Sequence, residues 1–412
     1  MSRSDHLTVW LGDVAVATVR QSSGDRILLR YSDVALDTWT INQPVLSCAL
    51  LLGTRTLDAI PFIDGLLPEG DTRRSLADLA RIPAHDLFGL IRRYGRDVAG
   101  AVQFLEEGDI PSTDRYGLQE LGDAELGELV DGLDSNPLAI IDESELSLAG
   151  LQAKMLTVAL GDGRWARPLG GRPSTHILKR DHLKHRGLVN AECEALTLAR
   201  DAGLTSFDAH IEQIAGYDCL VVERFDRVVA ADGSVTRIHQ EDACQALGRP
   251  ARQKYELHHG GGGPEFCDIA GILDKHSIDV ASELDRLAMY ATFTAIIGNA
   301  DAHGKNLAFL LVDGHVALAP MFDTVPTVLW PTLRTEAAMT IGGVLTFDGV
   351  DRKAVEREAK SWRHDPDAAG AAATACAERA LDGIEREIID PEGPLATHIR
   401  RTAPRFCADP SV

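Results

Sequence analysis

The 412-residue sequence has little of what a disulfide-bonded or membrane-spanning protein requires. Its seven cysteines are scattered singly, without a CxxC pair, which favours reduced thiols in a cytoplasm over a disulfide framework or a zinc site. No uninterrupted apolar stretch reaches membrane-spanning length, and residues 1–10 lack the apolar segment of a cleaved signal peptide. We therefore expect a cytoplasmic protein with no membrane partner.

The sequence also has no excess of basic side chains. The formal net charge is -21 and the pI is about 5.0, and nucleic-acid backbones are bound by basic surfaces. This balance argues against a protein that coats nucleic acid with its whole surface, although a local basic patch is compatible with it. With 45% hydrophobic and 25% charged residues, the composition is that of a folded globular protein. The length allows two domains, or one domain with a substantial second lobe.

Hydrophobic periodicity changes several times along the chain. Alternating apolar positions over residues 7–31 predict a hairpin with its turn at residues 22–25. Helical spacing follows from residue 62 to residue 93, and residues 121–131 are typical of a short acidic helix.

The second half of the chain begins with strands and ends with helices. Apolar, β-prone runs occur in succession at residues 156–159, 175–179 and 217–223. A long helical pattern covers residues 278–297, and further helices are predicted toward the C-terminus. A small strand-rich part followed by a larger helical part is the order expected of a bilobed kinase, although fold order alone does not determine function.

The strongest chemical signal is the segment GNADAHGKN at residues 298–306. Phosphoryl transfer to a hydroxyl needs a carboxylate that orients the hydroxyl proton and an oxygen ligand for Mg²⁺, and a D-x-x-x-x-N loop supplies both. Asp301 is the candidate base and Asn306 the candidate metal ligand. Taken alone, one such match is more often a helix cap or a turn residue.

A second carboxylate follows at the distance of one hairpin. Asp323 ends the segment PMFD, directly after a short predicted strand at residues 316–319. In kinases an aspartate at this place bridges Mg²⁺ to the β- and γ-phosphates of ATP. The combination of this aspartate with the upstream loop predicts a kinase that uses ATP and Mg²⁺.

Upstream, Lys179 ends the β-prone run STHILK, from which a strand lysine can reach the α- and β-phosphates. Glu192 or Glu194, on the following predicted helix, is a candidate ion-pair partner for it. The alternative for both glutamates is an ordinary exposed charge. The segment 146–154, LSLAGLQAK, has small residues that allow close phosphate approach, but its composition alone indicates only a turn.

Six ordered blocks resemble the HipA toxin family. They are SLAGLQAK, THILK, VVERFDR, HQEDACQALG with KYE, GNADAHGKN and PMFDT, and the upstream DGLLPEG and IRRYGRDVAGAV resemble the same family. The resemblance covers nearly the whole chain, and the order makes it specific. It implies a serine/threonine kinase toxin that is restrained by a HipB-like helix-turn-helix antitoxin.

The resemblance also implies roles for individual residues. It places the base on Asp301, metal ligands on Asn306 and Asp323, an ATP-contacting lysine on Lys179 and an autophosphorylated serine on Ser147. The cofactor-binding residues implied in this way are Ala149, Gly150, Leu151, Gln152, Ala153, Lys154, Lys179, Glu223, Arg224, Phe225 and His303. The three residues from Glu223 to Phe225 form the adenine-binding hinge, through backbone groups.

Two residues depart from the family pattern beside the metal aspartate. Phe322 stands where relatives commonly have tyrosine, and Thr324 stands where they have a branched aliphatic residue. These departures leave the assignment of the aspartate intact and change the packing expected around it.

The resulting prediction is an α+β, bilobed, protein-kinase-like fold. It has an N-terminal subdomain over residues 1–135, nucleotide-binding strands over 136–228 and an all-helical C-terminal lobe over 229–412. The expected cofactors are ATP and Mg²⁺. The expected partners are the antitoxin, a protein substrate of the translation-related kind known among relatives, and operator DNA reached mainly through the antitoxin. A small-molecule or lipid kinase and a non-enzymatic corepressor are the alternatives.

Overall fold

The computed structural model describes residues 5–23, 25–111, 116–134, 136, 138, 154–181, 185–257 and 261–407. Within them, the strands form five sheets, and the two larger sheets are antiparallel throughout. No helix in this part of the chain is both long enough and apolar enough to cross a membrane.

The N-terminal part is a five-stranded sheet that packs against short helices. Its elements are β1 (His6–Leu11), β2 (Val14–Ser22), β3 (Arg26–Tyr31), α1 (Asp33–Thr38), β4 (Leu57–Asp58), α2 (Ile60–Leu66), α3 (Gly70–Ala80), α4 (Leu87–Tyr94) and β5 (Val102–Leu105). The strand order is β4-β3-β2-β1-β5. The predicted turn at residues 22–25 is confirmed, since it joins the antiparallel strands β2 and β3. The single first strand of the predicted hairpin is wrong, because Gly12, with a φ of 58°, allows a further turn that divides it into β1 and β2.

A six-stranded sheet follows, with the strand order β10-β11-β9-β7-β8-β6. Its elements are β6 (Gly117–Leu121), α5 (Asp123–Asp131), β7 (Lys154–Gly161), β8 (Arg164–Leu169), β9 (His176–Arg180), α6 (Leu188–Asp201), β10 (Ala209–Ile214) and β11 (Tyr217–Glu223). The register places Lys154 on β7 directly opposite Lys179 on β9. Two lysines therefore lie side by side on one face of this sheet.

The remainder of the chain is mainly helical. Its elements are β12 (Arg227–Val229), β13 (Val235–Arg237), β14 (Gln240–Asp242), α7 (Ala243–Ala246), α8 (Phe266–His276), α9 (Val280–Ile297), β15 (Ala308–Val312), β16 (His315–Leu318), β17 (Glu336–Ile341), β18 (Val344–Thr346), α10 (Arg352–Ser361), α11 (Pro366–Glu385), α12 (Pro394–Thr402) and α13 (Pro404–Cys407). The C-terminal half of α9 is completely buried and packs against α11 and α12. This helix is the centre of the largest apolar core.

The prediction of an all-helical C-terminal lobe is wrong. β14, β15 and β16 form a three-stranded sheet, and β17 and β18 form a second small one. The physical reason lies in the sequence after the predicted catalytic loop. Short apolar runs interrupted at Gly314, which has a φ of 77°, favour a tight hairpin over a helix.

A buried network of charges joins the N-terminal part to the end of β11. Arg227 Nη2 lies 2.9 Å from Asp97 Oδ1, and Arg224 Nη2 lies 2.8 Å from Asp226 Oδ2. Ser174 adds a hydroxyl that donates to Asp97 Oδ2 at 2.7 Å. All five side chains are buried. Because none of these charges has access to water, each depends on its partners for compensation.

We expect Asp97→Ala to lower the free energy of unfolding by about 3–5 kcal/mol, because it leaves two buried guanidinium groups with one carboxylate between them. Urea denaturation followed by circular dichroism measures the change. Glu120→Ala is the matched control, because its partner Arg164 and Glu120 itself are exposed. That variant should change the value by no more than about 0.5 kcal/mol. Equal losses in the two variants would contradict the importance of the buried network.

Candidate active site

A cleft of about 730 Å³ lies between the six-stranded sheet and the helical part. Its lining includes every predicted site residue that belongs to the described part of the chain: Lys154, Lys179, Glu223, Arg224, Phe225, Asp301, His303, Asn306 and Asp323. Ser147 and residues 149–153, which were also predicted, lie outside the described residues. Segments far apart in the sequence therefore meet around one cavity.

Lys179 is the cation on which this cleft is centred. Its Nζ lies 2.6 Å from Glu192 Oε1 on α6 and 2.5 Å from Asp323 Oδ1. The exposed-charge alternative is thus wrong for Glu192, which is completely buried. Glu194 instead lines a separate recess on the other side of α6.

Burial and charge act against each other in this cluster. Burial raises the pKa of Asp323, but the ammonium groups of Lys179 and Lys154 outweigh it and hold that pKa well below its ordinary value. Burial also raises the pKa of the Glu192 carboxyl, against the effect of Lys179. Burial lowers the pKa of Lys154 to about 8, with Lys179 as a further cause. With a pKa of about 8, Lys154 is still mostly protonated at neutral pH, and an anion in the cleft would favour its charged form further.

The loop after α9 is held in place by its own polar side chains. Gly298 ends α9 in the left-handed conformation, and Asn299 Oδ1 accepts the Asp301 N–H at 3.0 Å. Asn306 Nδ2 donates to the Asp301 carbonyl at 2.9 Å. Thr327 Oγ1 accepts the Ala300 N–H at 2.8 Å, which fastens the loop to the segment after Asp323. The backbone that carries Asp301 is thus fixed on both sides.

The Asp301 side chain is 45% exposed and opens on the cleft. Its Oδ1 accepts a hydrogen bond of 2.6 Å from the hydroxyl of Tyr255. Position inside the cleft raises the pKa of Asp301, and the bond from Tyr255 counteracts part of that rise. Tyr255 was not among the predicted site residues. The only signal for it was the KYE block of the family resemblance, because the two residues are 46 positions apart.

His303 lies behind Asp301 as a neutral imidazole. Burial, reinforced by the charge of Lys254, lowers the pKa of His303 well below its ordinary value. Its Nε2 is 3.9 Å from Asp301 Oδ1, and its ring meets the ring of Tyr255 edge-on at 5.0 Å. Its Nδ1 is buried and has no hydrogen-bond partner among the described residues.

Asn306 and Asp323 offer a magnesium ion oxygen atoms only. Because Asn306 Nδ2 is engaged by the loop and Lys179 contacts Asp323 Oδ1, the remaining oxygens are Asn306 Oδ1 and Asp323 Oδ2. No group of three or more His, Cys, Asp or Glu side chains suited to a metal occurs among the described residues. A pair of oxygen ligands nevertheless fits magnesium, which usually completes its shell with phosphate and water.

The predicted hinge offers one free backbone donor. The N–H groups of Glu223 and Arg224 donate to Asp208 and Thr175, each at 2.9 Å. In the described part of the chain, no acceptor meets the Phe225 N–H. The Arg224 side chain donates to Asp226 and belongs to the buried charge network.

Apolar side chains surround this hinge donor. The Phe225 ring lies 5.5 Å from that of Phe322 and 6.0 Å from that of Phe207. Ile177 and Val222 line the same end of the cleft. The combination of one backbone donor and apolar walls suits a flat heteroaromatic ring.

Comparison with known proteins gives consistent matches over most of the chain. The model of the HipA N-terminal domain matches residues 7–105, and that of the HipA-like C-terminal domain matches residues 146–385. A protein of Sinorhizobium fredii named putative kinase Y4mE is 37% identical over 84% of this chain and 83% of its own length. The serine/threonine-protein kinase toxin HipA of Shewanella oneidensis is 30% identical over 81% of this chain and 78% of its own length.

A solved structure gives the same relationship in three dimensions. It contains HipA and HipB of Shewanella oneidensis with their operator DNA. The similarity has a TM-score of 0.81 at 25% sequence identity and covers 97% of this chain and 96% of that chain. The mixed α/β fold described above is therefore shared with that structure.

We expect Gly298→Ala to destabilise the fold by about 2–4 kcal/mol. An alanine is strained in the left-handed backbone conformation, and its Cβ would also overpack the space around position 298. Gly298 has a φ of 71°, and a Cβ there would lie 2.2 Å from Val328 Cγ2. Gly233→Ala is the control, because Gly233 has a φ of 81° but open space around it. The control should lose only about 1–2 kcal/mol in the same urea titration. No difference between the variants would show that the loop does not depend on this close approach.

Proposed function

The chain belongs to the HipA family of toxin kinases, and we propose that it is an ATP- and Mg²⁺-dependent serine/threonine protein kinase that phosphorylates a cellular protein. The observation that carries the proposal is the convergence of Lys179, Asp301, Asn306 and Asp323 on one cleft. Lys179 and Asp323 touch although 144 positions separate them in the sequence. Phosphoryl transfer depends on such a convergence, because it requires positioned charges more than covalent chemistry.

We propose that the nucleotide base binds at the Phe225 N–H, between the apolar side chains of the hinge. Its phosphates then extend toward Lys179 and Lys154, whose ammonium groups neutralise negative charge. The segment 149–153, which the family resemblance assigns to the phosphate loop, would complete this site. When bound at Asn306 and Asp323, magnesium would offset charge on the β- and γ-phosphates.

In the proposed transfer, Asp301 orients the substrate hydroxyl and accepts its proton as the oxygen attacks the γ-phosphorus. The bond from the γ-phosphorus to the bridging oxygen breaks, and ADP leaves. Lys179, which is buried, stabilises the charge that develops on the leaving phosphates. His303, in its neutral form, places no positive charge beside the Asp301 carboxylate.

We further propose that the kinase autophosphorylates on Ser147. A phosphate there would add about -2 charge next to the site of the ATP phosphates and would repel the nucleotide. The proposal rests on the match of Ser147 with the autophosphorylated serine of the family.

We also propose a helix-turn-helix antitoxin as the physiological partner in the cytoplasm. The related Shewanella oneidensis structure contains HipB and operator DNA together with HipA. With a net charge of -21, this chain would reach DNA mainly through its antitoxin, since phosphate binding needs basic surfaces.

We propose a division of the chain into three segments. They are the N-terminal subdomain 1–135, the nucleotide-binding strands 136–228 and the C-terminal lobe 229–412.

Asp301→Asn and Asp323→Asn should each strongly reduce the transfer of radiolabel from [γ-³²P]ATP to protein. The first removes the proton acceptor, and the second removes a carboxylate ligand of magnesium. Each loss should exceed about 100-fold, the lower end of what general base catalysis contributes. Labelling of the full-length chain and of casein, with circular dichroism as the folding check, measures both.

Asp313→Asn is the matched control for this pair. It makes the same change of one carboxyl to an amide, on an exposed turn between the two aspartates. Its labelling should equal that of the unmodified chain. Unchanged labelling by folded Asp301→Asn or Asp323→Asn protein would refute the proposed roles.

A further inference from the structure

The hydrogen bond between Tyr255 and Asp301 joins a hydroxyl to the candidate base. A serine or threonine substrate would make a bond of the same kind. The Tyr255 hydroxyl donates to Asp301 Oδ1 at 2.6 Å. No hydrogen bond from the described residues reaches the other carboxylate oxygen, Oδ2. The candidate base, which lines the cleft, thus has one oxygen held by Tyr255 and one without a hydrogen-bond donor among the described residues.

The position of the Tyr255 ring is set by contacts other than this hydrogen bond. The His303 ring meets it edge-on at 5.0 Å, with an interplanar angle of 82°. The Arg334 guanidinium lies 4.8 Å from the ring centroid and the Lys254 ammonium 5.7 Å from it, both within cation–π range. These contacts are made by the ring, so they hold the phenol in addition to its hydrogen bond to Asp301.

The two cations at the ring are themselves held. Arg334 donates to the carbonyls of Glu336 and Ala337, at 3.0 and 3.3 Å. Lys254 lies 3.3 Å from Glu69 Oε1, on the loop before α3. The cations that contact the Tyr255 ring are therefore held by residues that lie far apart in the sequence.

Tyr255 also keeps its proton. Burial raises the pKa of Tyr255, and the neighbouring charge of Asp301 raises it further. At neutral pH the phenol is consequently protonated and can donate its hydrogen bond to Asp301.

A carboxylate on an otherwise fixed backbone still turns easily about its last side-chain bond, because that rotation has a broad energy profile. The Asp301 backbone is held by Asn299 and Asn306, but these contacts do not restrict the carboxylate plane. Among the described residues, the Tyr255 hydroxyl supplies the only hydrogen bond to that carboxylate. Without this hydrogen bond, the Asp301 carboxylate could rotate while the loop backbone stayed in place.

We propose that Tyr255 is a positioning residue for the phosphotransfer proposed above. Its phenol holds Oδ1 of Asp301, so that Oδ2 is the oxygen that receives the hydroxyl of the acceptor serine or threonine. The inference rests on the proposed function and adds a residue with no direct role in binding ATP or magnesium.

Tyr255→Phe in the full-length chain is the test, because it keeps the ring and removes the hydroxyl alone. We expect kcat for casein labelling to fall about 10- to 100-fold, in the range that small misplacements of a reacting group cause. The KM for ATP and the urea-unfolding midpoint should not change. In the Asp301→Asn background, the same substitution should cause no additional loss of the residual rate.

Tyr217→Phe is the matched control. The Tyr217 hydroxyl also donates to an aspartate, Asp131, and the Arg180 guanidinium lies 4.7 Å from its ring. Neither Tyr217 nor Asp131 lines the cleft, and Tyr217 makes no contact with Asp301 among the described residues. Arg180 does line the cleft, but the substitution keeps the ring that it contacts, so kcat should be unchanged.

Three results would overturn the inference. An unchanged kcat in Tyr255→Phe would show that the hydroxyl is not needed, and a higher kcat or a lower KM for casein would show that the phenol blocks the acceptor. An additional loss in the Asp301→Asn background would show that Tyr255 acts independently of the base. If Asp301→Asn itself kept full activity, the proposed function would fail with it.

Discussion

The ion pairs of Lys179 with Glu192 and Asp323 are the interaction on which the proposed site depends. They join strand β9, helix α6 and the segment after β16 at one point. Buried charges are costly unless each is compensated, so these three segments are held together by charges that would otherwise lack partners. The same pairs keep Asp323 ionised and Lys179 protonated, which are the states that phosphate and magnesium binding require.

Two further parts of the fold hold the residues around this cluster in place. The completely buried half of α9 ends at Gly298 and delivers the loop that carries Asp301 and Asn306. The network of Asp97 with Arg224 secures the hinge from the N-terminal side. A cleft that is held in this way can fix charges before the substrate arrives, and pre-set charges are the main source of catalysis in phosphoryl transfer.

The local parts of this site could be predicted from the sequence because their spacing is short. Asp301, Asn306 and Asp323 lie within one loop and one hairpin, so their spacing already predicts that the candidate base and the two candidate metal ligands lie close together. Spacing could not distinguish Glu192 from Glu194, because which of the two faces Lys179 depends on how α6 packs on the sheet. Tyr255 was missed for a similar reason, since only the folded chain brings it to Asp301. The extra turn at Gly12 and the small sheets among the C-terminal helices show that short apolar runs do not reveal how they pair.

We propose that the cleft around Lys179 binds ATP through protein side chains and magnesium together. Isothermal titration of the full-length chain with ATP, in the presence of Mg²⁺ and then of EDTA, measures this binding. One nucleotide should bind per chain with Mg²⁺, and the affinity should be at least about 10-fold lower without it, which corresponds to about 1.4 kcal/mol. Absence of binding in both conditions, or equal affinity in both, would contradict this proposal.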